Sequence, residues 1–366
     1  MKILYLITKS EYGGAQTHVA QIMKRMKAQG HTVALMTTPG GWLEEETKKA
    51  GISVYPNIWF SRRSLPWNLW MAIKGIQNTI QDFDPQLVHC HSTKAGFLGR
   101  LCIRNRIPTL YTAHGWPFAK GTPIIKKVAG IFAEKIASSF CSAIICVSRY
   151  DDKLAKQFRI MDKERLYVIY NGVQIPVLHG MYTMNSTMRV IFVGRMEKQK
   201  DQQLLLEAVC LLPKDIRSQI EIVFIGDGRN KKRLEAYVRK KGIPNVRFAG
   251  IQGRGAITEF MSKSNVLVLL SKWEGLPYAL LEGMAVGLPV IASVVGGVSE
   301  VITKDCGFLV DKGNAFQVAE ILELLMNKPE LRKALGQNAR KRIGTNFSED
   351  LMFDQTKAIY QKLVKH

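Results

Sequence analysis

Short apolar runs alternate with segments of helical periodicity along the first half of the chain. The helical segment 15–29, for example, ends at Gly30, a residue that commonly stops a helix. Alternation of strands and helices predicts βαβ units and a parallel sheet with helices on both faces. The predicted strands are 3–7, 32–37, 87–91, 109–112, 143–147 and 167–170.

The pattern breaks at residues 173–188, which contain Pro176, Gly180 and several small polar residues. It then starts again, which predicts a second doubly wound α/β domain. We therefore expect a first Rossmann-like domain over 1–175, a linker over 176–188 and a second Rossmann-like domain over 189–347. The terminal helix 348–366 is expected to join the first domain. The predicted strands of the second domain are 190–193, 221–225, 246–249, 266–270 and 289–293.

A length of 366 residues suits two domains of ordinary size. No apolar run approaches the roughly 18 residues of a membrane-spanning helix. The apolar run near Met1 is too short for a signal peptide and is interpreted as a buried strand. Six scattered cysteines without a C-x-x-C pair predict neither a disulfide framework nor a zinc site, which favours a cytoplasmic protein.

The charge of the chain is strongly basic. Lysine and arginine number 52 against 30 acidic residues, a net charge of +22. Residues 1–180 hold 24 basic and 11 acidic side chains. Such an excess indicates an anionic partner, namely nucleic acid, an acidic membrane or a phosphorylated substrate, although solubility alone could also account for it.

Two strand-to-helix turns carry residues suited to an anionic ligand. Gly13 and Gly14 follow the first strand and open a helix, whose terminal N–H groups can face an anion. Arg195 and Lys200 follow the first strand of the second domain, and their two cations suit a diphosphate. Taken alone, the glycines could form a structural turn and the cations a solvated loop. Because the glycines do not form G-x-G-x-x-G, a nicotinamide cofactor is not supported.

The segment 271–282 carries the most specific signal. Glu274 lies in a turn after an apolar strand, and Gly275 and Pro277 mark the entry to a helix that carries Glu282. An acid in the turn and another on the following helix can line one pocket. Parallel sheets bind ligands at the carboxyl ends of their strands, so a cleft between the two domains is the expected site.

The spacing of Glu274 and Glu282 is the Glu-x7-Glu signature, and its surroundings closely resemble glycosyltransferase family 4. The other blocks of that family occur in order and span nearly the whole chain. The resemblance implies a GT-B fold, in which two Rossmann-like domains face each other across a cleft, and sugar transfer with retention of anomeric configuration. The matching blocks are Gly13-Gly14-Ala15-Gln16, Thr112-Ala113-His114-Gly115, Val147-Ser148, Tyr170-Asn171-Gly172-Val173, Gly194-Arg195 with Lys200, Gly226-Asp227-Gly228 and Phe248-Ala249-Gly250.

The resemblance also implies roles for individual residues. Arg195 and Lys200 would neutralise the leaving diphosphate of a nucleotide-sugar donor, most simply a UDP-sugar. Glu282 would bind the donor ribose, and Glu274 with the amides of Gly275 and Leu276 would hold the sugar hydroxyls. Gly13 and Gly14 would approach the acceptor, and Gly14 also the diphosphate. His114 would lie at the reacting carbon, as a catalytic and acceptor-binding residue. Arg195, Lys200 and Glu274 are also assigned as catalytic.

Three positions depart from the usual family pattern. Asp201 follows Lys200 where glycine is common, Gly283 follows Glu282 where alanine is common, and the loop Ile251-Gln252-Gly253-Arg254 is unusual. None of them removes a charge that the implied mechanism needs, and they leave the base and the sugar open, whether a hexose or an N-acetylhexosamine.

We expect no cofactor and no obligatory metal, because two cations and a helix N-terminus can supply the charge that Mg²⁺ supplies elsewhere. Asp82 and Asp84 form a D-x-D string, but we interpret it as a surface turn without other ligands. His89 and His91 lie on one strand face, and the sequence shows no third ligand beside them. They are expected to be satisfied histidines of the core or cleft.

The predicted helix 65–80 has two apolar stripes. The first, formed by Leu65, Leu69, Ala72, Ile73, Ile76 and Ile80, is expected to face the core. Trp67 and Trp70 form the second, close to Arg62 and Arg63. Aromatic and cationic residues together suggest an anionic membrane surface, and packing against a neighbouring helix or domain is the equal alternative.

Segments 91–96 and 112–118 resemble bacterial capsule, exopolysaccharide and O-antigen transferases. That resemblance implies a polyprenyl-diphosphate-linked saccharide as acceptor and a peripheral enzyme on the inner face of the cell membrane. The alternatives are a soluble acceptor, a UDP-sugar epimerase of the same fold, or a non-catalytic basic binding protein. No nucleic-acid-binding motif is present, so no nucleic acid partner is expected.

Overall fold

The computed structural model describes residues 1–177 and 187–365 and divides into two compact units. The first unit comprises Met1–Gly172 with Glu349–His366, and the second Val173–Ser348. The sequence placed these divisions after residues 175 and 347. Most of the predicted linker 176–188 lies outside the described residues.

The first unit contains a seven-stranded parallel sheet in the order β3-β2-β1-β4-β5-β6-β7. Its elements are β1 (Lys2–Leu6), α1 (Gly14–Ala28), β2 (Thr32–Thr37), α2 (Trp42–Lys49), β3 (Ser53–Pro56), α3 (Pro66–Phe83), β4 (Leu87–His91), α4 (Thr93–Ile103), β5 (Thr109–Ala113), α5 (Ile124–Ser138), β6 (Ala143–Cys146), α6 (Arg149–Gln157) and β7 (Leu166–Val168).

Both faces of this sheet are buried, as the continuous apolar runs predicted. Along β1, Leu4 and Leu6 join a core layer with α3 and α4, whereas Ile3 and Tyr5 join the opposite layer with α1. The strand period of two thus sends successive side chains into two separate cores. The terminal helix α15 (Glu349–Val364) packs into the α1 layer.

The second unit repeats the arrangement with six parallel strands in the order β10-β9-β8-β11-β12-β13. Its elements are β8 (Met188–Val193), α7 (Gln202–Leu211), α8 (Lys214–Ser218), β9 (Ile220–Ile225), α9 (Lys231–Lys241), β10 (Val246–Gly250), α10 (Arg254–Ser262), β11 (Val266–Leu269), α11 (Tyr278–Val286), β12 (Val290–Ser293), α12 (Val298–Val301), β13 (Gly307–Val310), α13 (Ala315–Asn327) and α14 (Pro329–Asn346).

In each sheet the strand order reverses beside its first strand, between β1 and β4 and between β8 and β11. Such a switch point leaves a crevice at the carboxyl ends of the two strands, where ligands of open α/β sheets bind. The predicted fold class, Rossmann-like α/β domains with parallel sheets, is confirmed. Within 1–177 and 187–365, no helix is long and apolar enough to cross a membrane.

Two details of the region around α3 correct the sequence analysis. Leu65 precedes the helix and is exposed, so it does not belong to the core stripe that contains Ala72 and Ile76. Asp82 lies inside the last turn of α3, where it accepts a hydrogen bond from the Tyr55 hydroxyl, so the D-x-D string forms a helix end rather than a loop. Asp84 caps this helix in the left-handed region, at φ 47°.

Candidate active site

The switch point of the second unit holds a close ion pair. Lys200 follows β8 and Glu274 follows β11, and these strands are parallel neighbours whose carboxyl ends meet at one edge. Lys200 Nζ lies 2.5 Å from Glu274 Oε1, and the two side chains are only 14% and 8% exposed. Two residues 74 positions apart in the sequence therefore form one ion pair.

Glycines give the turn after β11 its shape. Gly296 has φ +51°, and a Cβ there would lie 1.8 Å from the carbonyl oxygen of Glu274. Gly297 N–H donates to the carbonyl of Gly275 at 2.9 Å. The loop after β12 thus packs directly against the Glu274 turn, which a side chain at position 296 would prevent.

Arg195 differs from Lys200 in its surroundings. It is exposed and forms no ion pair with any described residue. Its carbonyl accepts from the Gln202 amide at 3.0 Å, which fixes the backbone while the guanidinium stays open to solvent. Asp201, the departure from the family pattern, adopts φ 47° at the start of α7 and pairs with Lys272 at 3.2 Å.

Glu282 lies on α11, and one of its carboxylate oxygens accepts no hydrogen bond from the described residues. Its Oε1 is buried and has no hydrogen-bond partner among the described residues, and the nearest cation, Arg254 Nε, is 3.8 Å away. Burial raises the pKa of Glu282, and Arg254 opposes that shift. A buried acceptor without a donor is costly, so this oxygen is suited to a hydroxyl group from a ligand.

In the first unit, the turn after β1 places Gly13 at the cap of α1 and Gly14 at its first residue. The Gln16 amide donates back to the carbonyl of Lys9 at 3.0 Å, which closes the turn. The N-terminus of α1 therefore lies at the carboxyl edge of the sheet, beside the switch point between β1 and β4.

His114 follows β5 and belongs to a cluster of histidines. Its Nε2 is 3.1 Å from His91 Nδ1 at the end of β4, and its ring packs edge-on against His18 of α1, with 4.9 Å between centroids. His18 Nδ1 contacts Asn171 Oδ1 at 3.1 Å. His89 is a satisfied core histidine, because its nitrogens contact the hydroxyls of Tyr360 and Thr112 at 2.6 and 2.7 Å.

This cluster is uncharged at neutral pH. Burial lowers the pKa of His18 to about 4, although the hydrogen bond with Asn171 opposes that shift. Burial also lowers the pKa of His91 and of His114 well below the ordinary value of 6.5, and neighbouring histidines act in the same direction. A neutral imidazole can donate one hydrogen bond and accept another. His114 can therefore orient a hydroxyl group, and it is a poor source of a proton.

The absence of a third ligand beside His91, inferred from the sequence, is wrong. His18, His91 and His114 each offer a nitrogen, and these atoms lie within 4.8 Å of one another. The Nε2 atoms of His18 and His91 have no hydrogen-bond partner among the described residues. Neutral imidazoles of this kind can hold a transition metal, and this is the group in the described part of the chain that fits one. Metal independence thus stays a prediction.

The second apolar stripe of α3 is exposed. Trp67 and Trp70 contact each other with 4.9 Å between ring centroids and a tilt of 31°, and the Lys74 ammonium lies 5.4 Å from the Trp70 ring. Arg62 and Arg63 are exposed nearby, and the Arg62 carbonyl accepts from Lys94 Nζ at 2.7 Å. Trp67 and Trp70 are 63% and 50% exposed, so no described helix of the first unit buries them.

Comparison with known proteins supplies the family. Residues 12–175 match the family described as Glycosyltransferase Family 4, and residues 185–342 match Glycosyl transferases group 1. An uncharacterized glycosyltransferase of Methanocaldococcus jannaschii is 31% identical over 96% of this chain and 95% of its own. The chain therefore belongs to glycosyltransferase family 4, and it is a glycosyltransferase with the GT-B fold.

Two further comparisons concern a named relative and a solved structure. An Escherichia coli relative, named as a UDP-Gal:alpha-D-GlcNAc-diphosphoundecaprenol alpha-1,3-galactosyltransferase, is 26% identical and covers 76% of both chains. The crystal structure of HepE of Anabaena in complex with UDP-glucose has a TM-score of 0.84 over 99% of this chain and 100% of that one, at 20% identity. The second likeness concerns the fold alone.

Proposed function

We propose that this glycosyltransferase transfers a sugar from a UDP-sugar to a polyprenyl-diphosphate-linked saccharide, with retention of configuration, in the synthesis of a surface polysaccharide. The observation that carries the proposal is the ion pair of Lys200 and Glu274 at the switch point of the second unit. Among the described residues, Lys200 has a partner, Arg195 forms no ion pair, and the buried Oε1 of Glu282 has no donor. All three lie in the turns and helix where such folds bind nucleotides.

Lys200 and Glu274 neutralise each other before the donor binds. A diphosphate offers Lys200 more negative charge than one carboxylate does, so donor binding transfers the ammonium from Glu274 to the phosphates. Glu274 is then free to accept hydrogen bonds from the sugar hydroxyls. The 2.5 Å pair thus holds both groups in place without leaving either charge uncompensated.

Glu282 and Arg195 complete the donor site in this proposal. The open Oε1 of Glu282 accepts a ribose hydroxyl, which satisfies an atom that is otherwise buried without a partner. The exposed, planar guanidinium of Arg195 binds the diphosphate. The amides of Gly275 and Leu276 lie in the turn that Gly296 supports.

In the reaction, the bond from the anomeric carbon to the donor phosphate oxygen breaks, and its electron pair leaves with the nucleoside diphosphate. The acceptor hydroxyl oxygen bonds to the same carbon, and its proton passes to the departing phosphate oxygen. Charge accumulates on the diphosphate, where Lys200 and Arg195 stabilise it. Neutral His114 orients a hydroxyl at the reacting carbon, and the helix start at Gly13 and Gly14 faces the acceptor diphosphate.

The acceptor places the enzyme at a membrane. A polyprenyl chain is embedded in lipid, and a protein that reaches its diphosphate must sit on the bilayer. The exposed Trp67 and Trp70, with Arg62 and Arg63, supply aromatic and cationic groups suited to anionic headgroups on the inner face of the cell membrane. The E. coli relative named for a diphosphoundecaprenol-linked substrate supports this choice of acceptor.

The direct test is a panel of UDP- and GDP-sugars with short polyprenyl-diphosphate saccharides, in which product mass and anomeric configuration are measured. We expect one UDP-sugar to release UDP only when the lipid-linked acceptor is present. A product of inverted configuration, or transfer to a soluble sugar alone, would contradict the proposal. Conversion of the donor without an acceptor would identify an epimerase instead.

A matched pair of lysine variants controls this test. Lys200→Ala removes the ammonium of the proposed site, whereas Lys263→Ala removes one that pairs on the surface with Glu259 at the same 2.5 Å separation. Only the first variant should lose transfer. Equal activity of both folded variants would remove Lys200 from the diphosphate site.

A further inference from the structure

Helix α5 presents an apolar face to solvent. Ile124, Val128, Phe132 and Ile136 follow one another every four residues, and Ile125 lies beside them. All five are exposed, with Ile125 at 82% and Phe132 at 67%. Residues four apart share one face of a helix, so these side chains form a continuous apolar strip rather than scattered contacts.

The opposite face of α5 packs against α4 and the core layer, which Ile131 joins. The three buried residues of the helix are Glu134, Ala137 and Ser138. Glu134 pairs with Arg100 of α4 at 2.7 Å, and both side chains are essentially inaccessible. Because α5 buries its one carboxylate while five large apolar side chains stay exposed, the apolar strip indicates a partner that covers it.

The charges around this strip indicate which kind of partner covers it. Glu134 is the one acidic residue of α5, and its burial leaves only cations on the exposed surface of the helix. Lys126 and Lys135 are exposed, and Lys120 precedes the helix. An apolar strip flanked by lysines without exposed acids matches a bilayer of anionic lipid, in which acyl chains take the apolar groups and headgroups take the ammonium groups.

The same sheet face carries the exposed tryptophans. Helices α3, α4 and α5 pack side by side in the first unit, and each follows a parallel strand, so all three begin at the carboxyl edge of the sheet. Trp67 and Trp70 occupy the first turns of α3, and Ile124 and Ile125 open α5. Lys94, at the start of α4 between them, is bonded to the carbonyls of Trp59 and Arg62.

We infer that the outer strip of α5 inserts into an anionic membrane and forms a second contact beside the tryptophans of α3. This extends the membrane location that is part of the proposed function, on which it rests. Two contacts on neighbouring helices fix the orientation of the first unit, because a single contact leaves rotation about it free. The carboxyl edge with His114 and Gly14 would then be held at a constant height above the lipid surface.

The test compares vesicle flotation of the full chain and two double variants. Ile125→Ser/Phe132→Ser removes two insertion groups, and Val177→Ser/Phe316→Ser removes equally exposed apolar groups of the second unit, at 81% and 70%. Vesicles contain phosphatidylcholine alone or with phosphatidylglycerol. Because inserting one large apolar side chain changes partitioning by roughly tenfold, the α5 variant should bind anionic vesicles about 100-fold more weakly. The control variant should bind like wild type.

Hydrogen exchange supplies a second readout that does not depend on a substitution. Amides of 124–136 should gain protection with anionic vesicles and not with phosphatidylcholine alone. An α5 variant that binds like wild type, without protection of these amides, would overturn the inference and leave the α3 contact in place. Wild type that ignores anionic vesicles would overturn both contacts, whereas UDP release with a detergent-dispersed acceptor would still test the transferase. A dimer that the α5 substitutions convert to monomer would show a contact between copies instead.

Discussion

Replacing Lys200 by alanine tests the ion pair with Glu274 in the proposed donor site. The substitution removes an ammonium group 2.5 Å from Glu274 and leaves that carboxylate 8% exposed without its cation. Loss of one partner costs ~3–5 kcal/mol in a fully buried pair. Because both side chains keep some contact with water, we expect a smaller loss of about 2 kcal/mol in the free energy of unfolding, typical of a charged hydrogen bond.

The expected effect on turnover is larger than the effect on stability. Removing one preorganised group that stabilises transition-state charge lowers turnover by about 100-fold or more. A Lys200→Ala/Glu274→Gln double variant removes the stranded charge, so most of the stability should return while turnover stays low. Urea denaturation measures the first quantity, and UDP release under saturating donor measures the second.

The control is Lys263→Ala. Lys263 pairs with Glu259 at the same 2.5 Å, but these side chains are 61% and 64% exposed, so neither stability nor turnover should change. Recovery of turnover in the double variant would refute the reasoning, because it would show that Lys200 acts only to neutralise Glu274. Wild-type turnover in folded Lys200→Ala protein would refute it as well.

Four further outcomes are expected. Glu282→Gln should weaken UDP binding by about tenfold in calorimetry. The same variant should have a higher melting temperature at pH 7, because burial raises the pKa of Glu282 and its ionised form destabilises the fold above pH 4.5. This gain in melting temperature should vanish below pH 4.5. Since the pKa of His18 is lowered to about 4, the unfolded chain binds its proton first, so stability should fall as the pH drops from 6.5 to about 4, and less steeply in His18→Gln protein. Activity should survive EDTA; loss that Zn²⁺ or Mg²⁺ restores would mean a required metal. Trp67→Ala/Trp70→Ala protein should float with anionic vesicles more weakly than wild type, and unchanged flotation would remove the tryptophans from the membrane contact.

The sequence predicted the central strands well because parallel strands are buried on both faces and read as apolar runs. It missed β3 (Ser53–Pro56) and β13 (Gly307–Val310), which are edge strands of their sheets. Each has one neighbour and is partly exposed, so its apolar run is broken by exposed positions.

The residues of the candidate site were predictable where one segment carries the signal, as for Glu274 and Glu282. The histidine cluster was not, because His18 lies on a helix 73 positions before His91 and only the fold brings α1 over the end of β4. Helix α5 escaped notice for another reason. Its sequence has apolar residues on more than one face, and only the pairing of Glu134 with Arg100 decides which face turns inward.

The return of α15 to the first unit has a consequence for the order of folding. Tyr360 contacts both His89 Nδ1, at 2.6 Å, and the Tyr5 hydroxyl, at 3.2 Å, in the buried layer beneath α1. During synthesis, these groups wait without Tyr360 until α15 leaves the ribosome. Domains usually fold in the order of synthesis. Here the second unit can finish first, and the unit that begins the chain is completed last.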